Sequence, residues 1–294
     1  MNIYFSDNVK QHWILSKEYY SFQSINRFLT YFFQDSININ IIKNIKIYGI
    51  QDEVKDINKD VLNILICVEN CSHFKHYNHY NKYGNYGDEK IKVYFYNHID
   101  KLILTDNYIS IPIIYTQINY FNKYYQEIKP TIEIPLNKKK FCLFVSNNSY
   151  RNDIKNKIKY ILQNIEPCDN LNIYKPFLHN KSCYHSVEFM NILQHYKFVF
   201  VCENSLADGY ITEKIFNCFF ARCIPIYNGC EKIENYFNKN SFINANHLDN
   251  LKKINIINKN ETLYNEIINT PNKINSTFND EKYREKLTTF IENH

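Results

Sequence analysis

Five consecutive residues without a charged or hydroxyl-bearing side chain, Phe198-Val199-Phe200-Val201-Cys202, constrain the fold more than any other stretch. They are aromatic or β-branched and end in a small thiol, so they read as a strand. Both faces of that strand are apolar, as in a parallel sheet covered on either side by helices. The run is far shorter than the ~20 residues that a bilayer-spanning helix needs. Directly after it comes the densest polar cluster of the chain, Glu203 to Lys214, which opens a helix predicted over Thr212–Ala221. The strand Ile224–Tyr227 follows that helix.

The same alternation runs through the sequence, which makes it an α/β chain. Ile3–Phe5, Ile45–Tyr48, Leu62–Val68, Val93–Tyr96 and Leu102–Leu104 read as strands in the first half, with an amphipathic helix over Ser24–Phe33. In the second half Phe141–Val145 reads as a strand. Asp153–Leu162 reads as a basic helix with Ile154, Ile158, Ile161 and Leu162 on one face. Pro130, Pro135 and the run Lys138-Lys139-Lys140 interrupt both periodicities and mark a boundary. The expected division is an N-terminal α/β domain over 1–136, a C-terminal α/β domain over 137–256 and a helical tail over 257–294. Two such domains would leave a cleft, the usual place for a small-molecule site.

Composition excludes several classes. With 294 residues, 45% hydrophobic and 22% charged, the chain is neither disordered nor collagen-like. Heavy use of Asn, Ile, Lys and Tyr fits AT-rich coding DNA and carries no chemistry. A net charge of +5 is too small and too dispersed to argue for nucleic acid. Only 5 glycines are present, and no phosphate-cradling Gly-rich loop is among them. Nine cysteines without a Cys-x-x-Cys pair suit a reducing compartment. With neither a signal-peptide pattern nor a transmembrane run, the expected location is cytoplasmic. His73, His76 and His79 lie in a loop without a helical face, so they read as solvated, not metal-bound. No Asp-x-Asp pair offers a divalent-metal clamp.

The chemistry concentrates between Cys202 and Lys214. Ligands of open α/β sheets bind just past the carboxyl ends of strands, and a helix N-terminus near Thr212 favours a phosphate. Lys214, in the first helical turn, works against the helix dipole unless an anion sits there. Taken alone, the stretch also fits a capped surface helix with solvated charges.

Glu203-Asn204-Ser205, then Tyr210-Ile211-Thr212-Glu213-Lys214, closely resembles the donor-binding motif of the α1,3-fucosyltransferases. Ile224-Pro225-Ile226-Tyr227 with Gly229 extends the match. Lys140-Phe141-Cys142 through Ser146, Asn147 and Arg151 resembles the family's strand-loop-arginine segment. Ile111-Pro112-Ile113-Ile114-Tyr115 and Val68-Glu69-Asn70 resemble two N-terminal segments. Three differences stand out. Asn228 occupies the place of a family Trp, Asp169-Asn170-Leu171-Asn172 replaces an Asp-Ser-Gly-Gly type of segment, and the N-terminal third matches only in outline.

The resemblance implies a GT-B glycosyltransferase, two Rossmann-like domains facing across a cleft. Such an enzyme is inverting and moves L-fucose from GDP-fucose to a hydroxyl of an oligosaccharide or glycoconjugate acceptor, α1,3 to GlcNAc or Glc. Arg151 and Lys214 correspond to the cations that neutralise the pyrophosphate. Glu213 corresponds to the acid contacting the donor ribose or sugar, Asn204 and Tyr210 to residues lining the same pocket, and Glu69 to the general base. No cofactor or essential metal is expected, since cations placed at the departing β-phosphate act where negative charge builds. For Glu69 alone, a solvated strand-end acid is the bland alternative. Another GDP-sugar as donor, or a non-catalytic glycan-binding pseudoenzyme, is the alternative function. Arg151 and Lys214 are expected to be partly exposed, so that replacing either leaves folding little affected.

Overall fold

The computed structural model describes residues 134–145, 151–171, 187–204, 206, 209–271 and 273–275, with the isolated positions 285 and 289; of four strands nearer the N-terminus it describes the backbone. The chain divides into two compact units. One is Met1–Asn119 with Ala207–Tyr210 and Asn279–His294, and the other is Tyr120–Leu206 with Ile211–Phe278.

In the first unit β1 (Ile3–Phe5), β2 (Ile45–Gly49), β3 (Leu62–Ile66) and β4 (Ile91–Phe95) form a parallel sheet in the order β1-β2-β3-β4. The register shifts once, between Asn63 and Leu65. Each strand falls on a run read from the sequence. Leu102–Leu104, Ser24–Phe33 and the three-histidine loop lie outside the described residues.

The second unit carries β5 (Lys140–Val145), β6 (Cys168–Leu171), β7 (Tyr196–Cys202), β8 (Ile224–Asn228) and β9 (Ile243–Asn244), all parallel, in the order β6-β5-β7-β8-β9. After β6 the chain crosses back over β5, so the winding direction reverses between β5 and β7. Among the described residues six helices accompany this sheet: α1 (Asn152–Gln163), α2 (Val187–Leu193), α3 (Glu213–Phe220), α4 (Ile233–Tyr236), α5 (Lys252–Lys259) and α6 (Glu261–Ile268).

Alternation along the strands explains how both faces become buried. Phe144, Phe198, Phe200, Cys202, Ile224 and Ile226 join one core with Ile158 and Leu162 of α1, Ile254 and Ile257 of α5, and Tyr264 of α6. Phe144 and Phe200 are register partners with ring centroids 4.8 Å apart, and Tyr264 meets Phe198 edge-on at 6.3 Å. Val199 and Val201, of opposite parity, are equally buried, and α2 and α3 pack on β7 and β8. The apolar run that dominates the sequence is therefore the central strand of a sheet covered on both sides. Two helix ends are locked by sequence. Asn260 caps α6 by accepting from Leu263 N, and Arg222 takes a left-handed conformation (φ 52°) where α3 turns into β8.

Candidate functional site

The reversal of winding between β5 and β7 leaves a crevice at the carboxyl ends of these strands, where ligands of open α/β sheets bind. The sequence places its polar cluster at that edge. Arg151 follows β5, Glu203 and Asn204 follow β7, and Asn228 ends β8.

Arg151 is held in an unusual way. It is the N-cap of α1 with φ 58° and ψ 35°, left-handed for a non-glycine residue, and its side chain makes no capping bond. Such a conformation costs on the order of 1–3 kcal/mol, and a cation at a helix start opposes the dipole. Arg222 shares the left-handed backbone, but there it closes a helix. At Arg151 the conformation instead directs the guanidinium across the strand ends, where it donates to Glu203 O at 3.1 Å and to Asn228 Oδ1. Both acceptors are neutral.

Glu203 is the organiser that the sequence reading missed. Its side chain has no solvent exposure. Its carboxylate accepts from Thr212 N at 2.8 Å, Thr212 Oγ1 at 2.8 Å and Lys214 Nζ at 3.1 Å. Lys214 Nζ also donates to Thr212 Oγ1 at 2.8 Å and lies 3.7 Å from Glu213 Oε1. The anion that offsets Lys214 at the start of α3 is thus a buried residue of the protein itself. Burial of a carboxylate costs several kcal/mol unless charge and hydrogen bonds compensate it, and these three donors do so. The nine-position step from Glu203 to Thr212 gives no local spacing from which the contact could be read.

Asn228, standing where the family pattern has Trp, is a satisfied polar hub. Its Nδ2 donates to Ala245 O and to Asn246 Oδ1, both at 3.1 Å, while its Oδ1 accepts from Arg151. Asn246 in turn accepts from Gly229 N at 3.0 Å and donates to Cys230 O at 3.0 Å. Gly229 is required here by space. A Cβ at this position would lie 2.5 Å from Tyr227 Oη and 2.6 Å from Glu203 Cγ.

A further cation belongs to the cluster. Lys155, one turn into α1, is buried among its apolar neighbours. Burial, then the charges of Arg151 and Lys214, hold its ammonium pKa below the ordinary lysine value, with Cys202 opposing. Burial pushes the Cys202 thiol up, while Arg151, Lys155 and Lys214 pull it down. The charges of Arg151, Lys155 and Lys214 are thus all felt at Cys202, at the end of β7.

The structure brings together Arg151, Glu213 and Lys214 among the residues singled out from sequence. Asn204 sits half-buried directly after Glu203, and Tyr210 is fully buried beside Gly209, whose φ is 72°. Glu69, the Val68–Asn70 segment, the Ile111–Tyr115 segment and Ser146–Tyr150 lie outside the described residues. Arg151 and Lys214 are partly exposed, as expected, and each also makes contacts that bear on folding. Arg151 ties the ends of β7 and β8, and Lys214, 24% exposed, compensates a fully buried carboxylate.

Residues 134–288, more than half of the chain, match the model of the C-terminal part of glycosyltransferase family 10, the fucosyltransferases. The chain belongs to this family. It is 33% identical over 165 residues to a fucosyltransferase-like protein of Acanthamoeba polyphaga mimivirus, a match that covers 52% of this chain and 27% of the viral protein. It is 33% identical over 113 residues to an α-(1,3)-fucosyltransferase of Helicobacter pylori, covering 38% of this chain and 23% of the bacterial one. The matched regions thus amount to about a quarter of these relatives' length. A crystal structure of an α1,3-fucosyltransferase with GDP-fucose aligns with a TM-score of 0.61, 17% identity, all of this chain and 89% of the other. The fold is accordingly the α/β GT-B class, as the sequence implied. Among the described residues, no helix is long and apolar enough to cross a membrane, and no group of three or more His, Cys, Asp or Glu could hold a metal ion.

Proposed function

We propose that the chain transfers L-fucose from GDP-fucose to a hydroxyl of a sugar acceptor, with inversion, forming an α1,3 linkage to GlcNAc or Glc of a glycan. Family membership and solved relatives crystallised with GDP and GDP-fucose support the donor. The observation that carries the reading is the convergence of Arg151 and Lys214 at the switch point of the second sheet. A strained backbone and a buried counter-ion hold them at the place where a diphosphate would bind.

In this reading the acceptor oxygen attacks the anomeric carbon as its bond to the β-phosphate oxygen breaks. GDP departs with the bonding electrons, and the charge developing on it is met by Arg151 and Lys214. An Arg fork and a Lys point charge suit a diphosphate without calling on a metal. Glu213, at the first position of α3, contacts the donor ribose or sugar, and Asn204 and Tyr210 line the same pocket. Glu69 takes the acceptor proton on the face opposite the leaving group, as inverting chemistry requires of a carboxylate.

Incubation with GDP-fucose and an array of glycans tests this directly. Labelled fucose incorporated into GlcNAc- or Glc-containing acceptors is the expected result. Hydrolysis without transfer, or no turnover of GDP-fucose, overturns it.

A further inference from the structure

The guanidinium of Arg151 is held by two acceptors that are themselves tied together. Glu203 O accepts from it at 3.1 Å and Asn228 Oδ1 accepts beside it, while Glu203 N donates to Asn228 O at 2.9 Å. The amide of Asn228 fits in one orientation alone. A guanidinium offers only donors and the Ala245 carbonyl only accepts, so Oδ1 faces Arg151 and Nδ2 faces Ala245 O at 3.1 Å. The Cys202 thiol, a further donor at 3.8 Å, meets the same oxygen. Asn246 enforces this choice from behind. Its own amide is fixed by a donor, Gly229 N at 3.0 Å, and by an acceptor, Cys230 O at 3.0 Å. Its Oδ1 is thereby turned to take the second Nδ2 hydrogen of Asn228, at 3.1 Å. Asn228 is 3% exposed, so its amide has little water to turn to.

Two linked amides are an odd way to hold a cation if stability is the only demand. A carboxylate at position 228 would grip the guanidinium more tightly. It would also cancel the charge and repel a diphosphate. An amide fixes direction and leaves the charge in place. An indole, the side chain of the family pattern here, offers no acceptor, so the grip depends on a residue by which this chain departs from that pattern.

We propose that Asn228 is a positioning residue of the donor site: as a neutral acceptor locked by Asn246, it aims Arg151 at the diphosphate before the nucleotide arrives and leaves the guanidinium charge to the phosphates. The inference rests on the reading of this cluster as a nucleotide-sugar site. An arginine ordered in the folded protein need not be ordered again when GDP binds, so the effect of Asn228 on affinity passes through Arg151.

The test is the affinity for GDP, by calorimetry at pH 7.5, of wild type, Asn228→Ala, Asn228→Asp, Arg151→Ala and the double variant with alanine at both positions. Asn228→Ala should bind GDP roughly three- to tenfold more weakly than wild type, and adding it to Arg151→Ala should change nothing further. Asn228→Asp keeps an oxygen for the guanidinium but neutralises it, and should bind more weakly than Asn228→Ala. An Asn228→Ala deficit of the same size with and without Arg151 marks a structural role alone and overturns the proposal, as does the absence of a deficit. Asn228→Asp binding as tightly as Asn228→Ala, or more so, overturns it too. If the variants at 228 fail to fold, the wild type decides by NMR. The chain has four arginines, so the guanidinium signals missing from Arg151→Ala identify those of Arg151. Without GDP these should be separate for the two Nη groups, and one averaged signal overturns the proposal. A wild type that binds no GDP, or an Arg151→Ala variant that binds it as wild type does, overturns the functional reading, and this inference falls with it.

Discussion

Glu203→Gln isolates one negative charge in a site where shape is otherwise preserved. The wild-type carboxylate accepts three hydrogen bonds, from Thr212 N, Thr212 Oγ1 and Lys214 Nζ, with no exposure of its own side chain. Glutamine keeps one oxygen, enough for Thr212 N. Its amide group then faces the Thr212 hydroxyl, which can turn to accept, and the Lys214 ammonium, which cannot. Lys214 is 24% exposed and can swing toward water. What is lost is therefore one charged pair and the charge assistance of the other two bonds, partly offset by the lower cost of burying a neutral amide. The expected net loss is roughly 1.5–3 kcal/mol, lowering Tm by about 2–5 °C for a chain of this size. Glu203→Ala removes every acceptor and leaves a cavity as well, so it should cost about 3–5 kcal/mol. Urea denaturation followed by circular dichroism measures both, and a cycle with Lys214→Met apportions the pair. A Glu203→Gln variant within 0.5 kcal/mol of wild type, or a cycle without coupling, refutes the organising role given to this carboxylate.

Gly229→Ala should lose about 1–3 kcal/mol in the same denaturation assay, because its Cβ would press on the buried Tyr227 ring and on Glu203. Unchanged stability would show that the neighbours yield freely. At the edge strand β6, Asp169 accepts from Lys140 Nζ at 2.7 Å and Tyr196 Oη at 2.8 Å. These bonds hold its carboxyl below the ordinary value of 3.8, while burial, aided by the bond to Asp169, pushes the Tyr196 hydroxyl up to about 12. The stabilisation is complete above the unfolded pKa and is lost as the pH falls through the lower folded one. With both charged partners exposed it amounts to ~1 kcal/mol or less. Asp169→Asn should thus be less stable than wild type at pH 6 and indistinguishable from it near pH 2; a deficit independent of pH contradicts this origin. Glu69→Gln should leave GDP-fucose affinity intact while transfer falls roughly 10²–10⁴-fold, and near-wild-type transfer would place the base elsewhere.

The strands were legible because their runs are aromatic and β-branched and their central member is apolar on both faces. The helix beginning at Glu213 was legible from Thr212 and the polarity change around it. β6 and the two-residue β9 were not: Cys-Asp-Asn-Leu is a half-exposed edge segment whose composition resembles a loop, and it becomes a strand by pairing with Cys142–Val145. Lys155 hid inside a helix that reads simply as basic, although a lysine three before Ile158 and seven before Leu162 breaks the apolar stripe and could have been flagged. Glu203 and Asn228 resisted for a different reason. Their partners lie across a loop or on other strands, so no periodicity connects them. Contacts distant in sequence leave no local pattern, so residues whose role is to position others were missed.

Calorimetric titration with GDP, UDP and ADP, repeated on Arg151→Ala, bears most directly on the claim that the carboxyl ends of β5, β7 and β8 form the nucleotide-sugar site. Clear preference for GDP is expected, with the arginine variant weakened about ten- to a hundredfold by the loss of a charge-assisted contact with the diphosphate. Equal binding of all three nucleotides, binding of none, or an Arg151→Ala variant that folds and binds GDP as wild type does would contradict it.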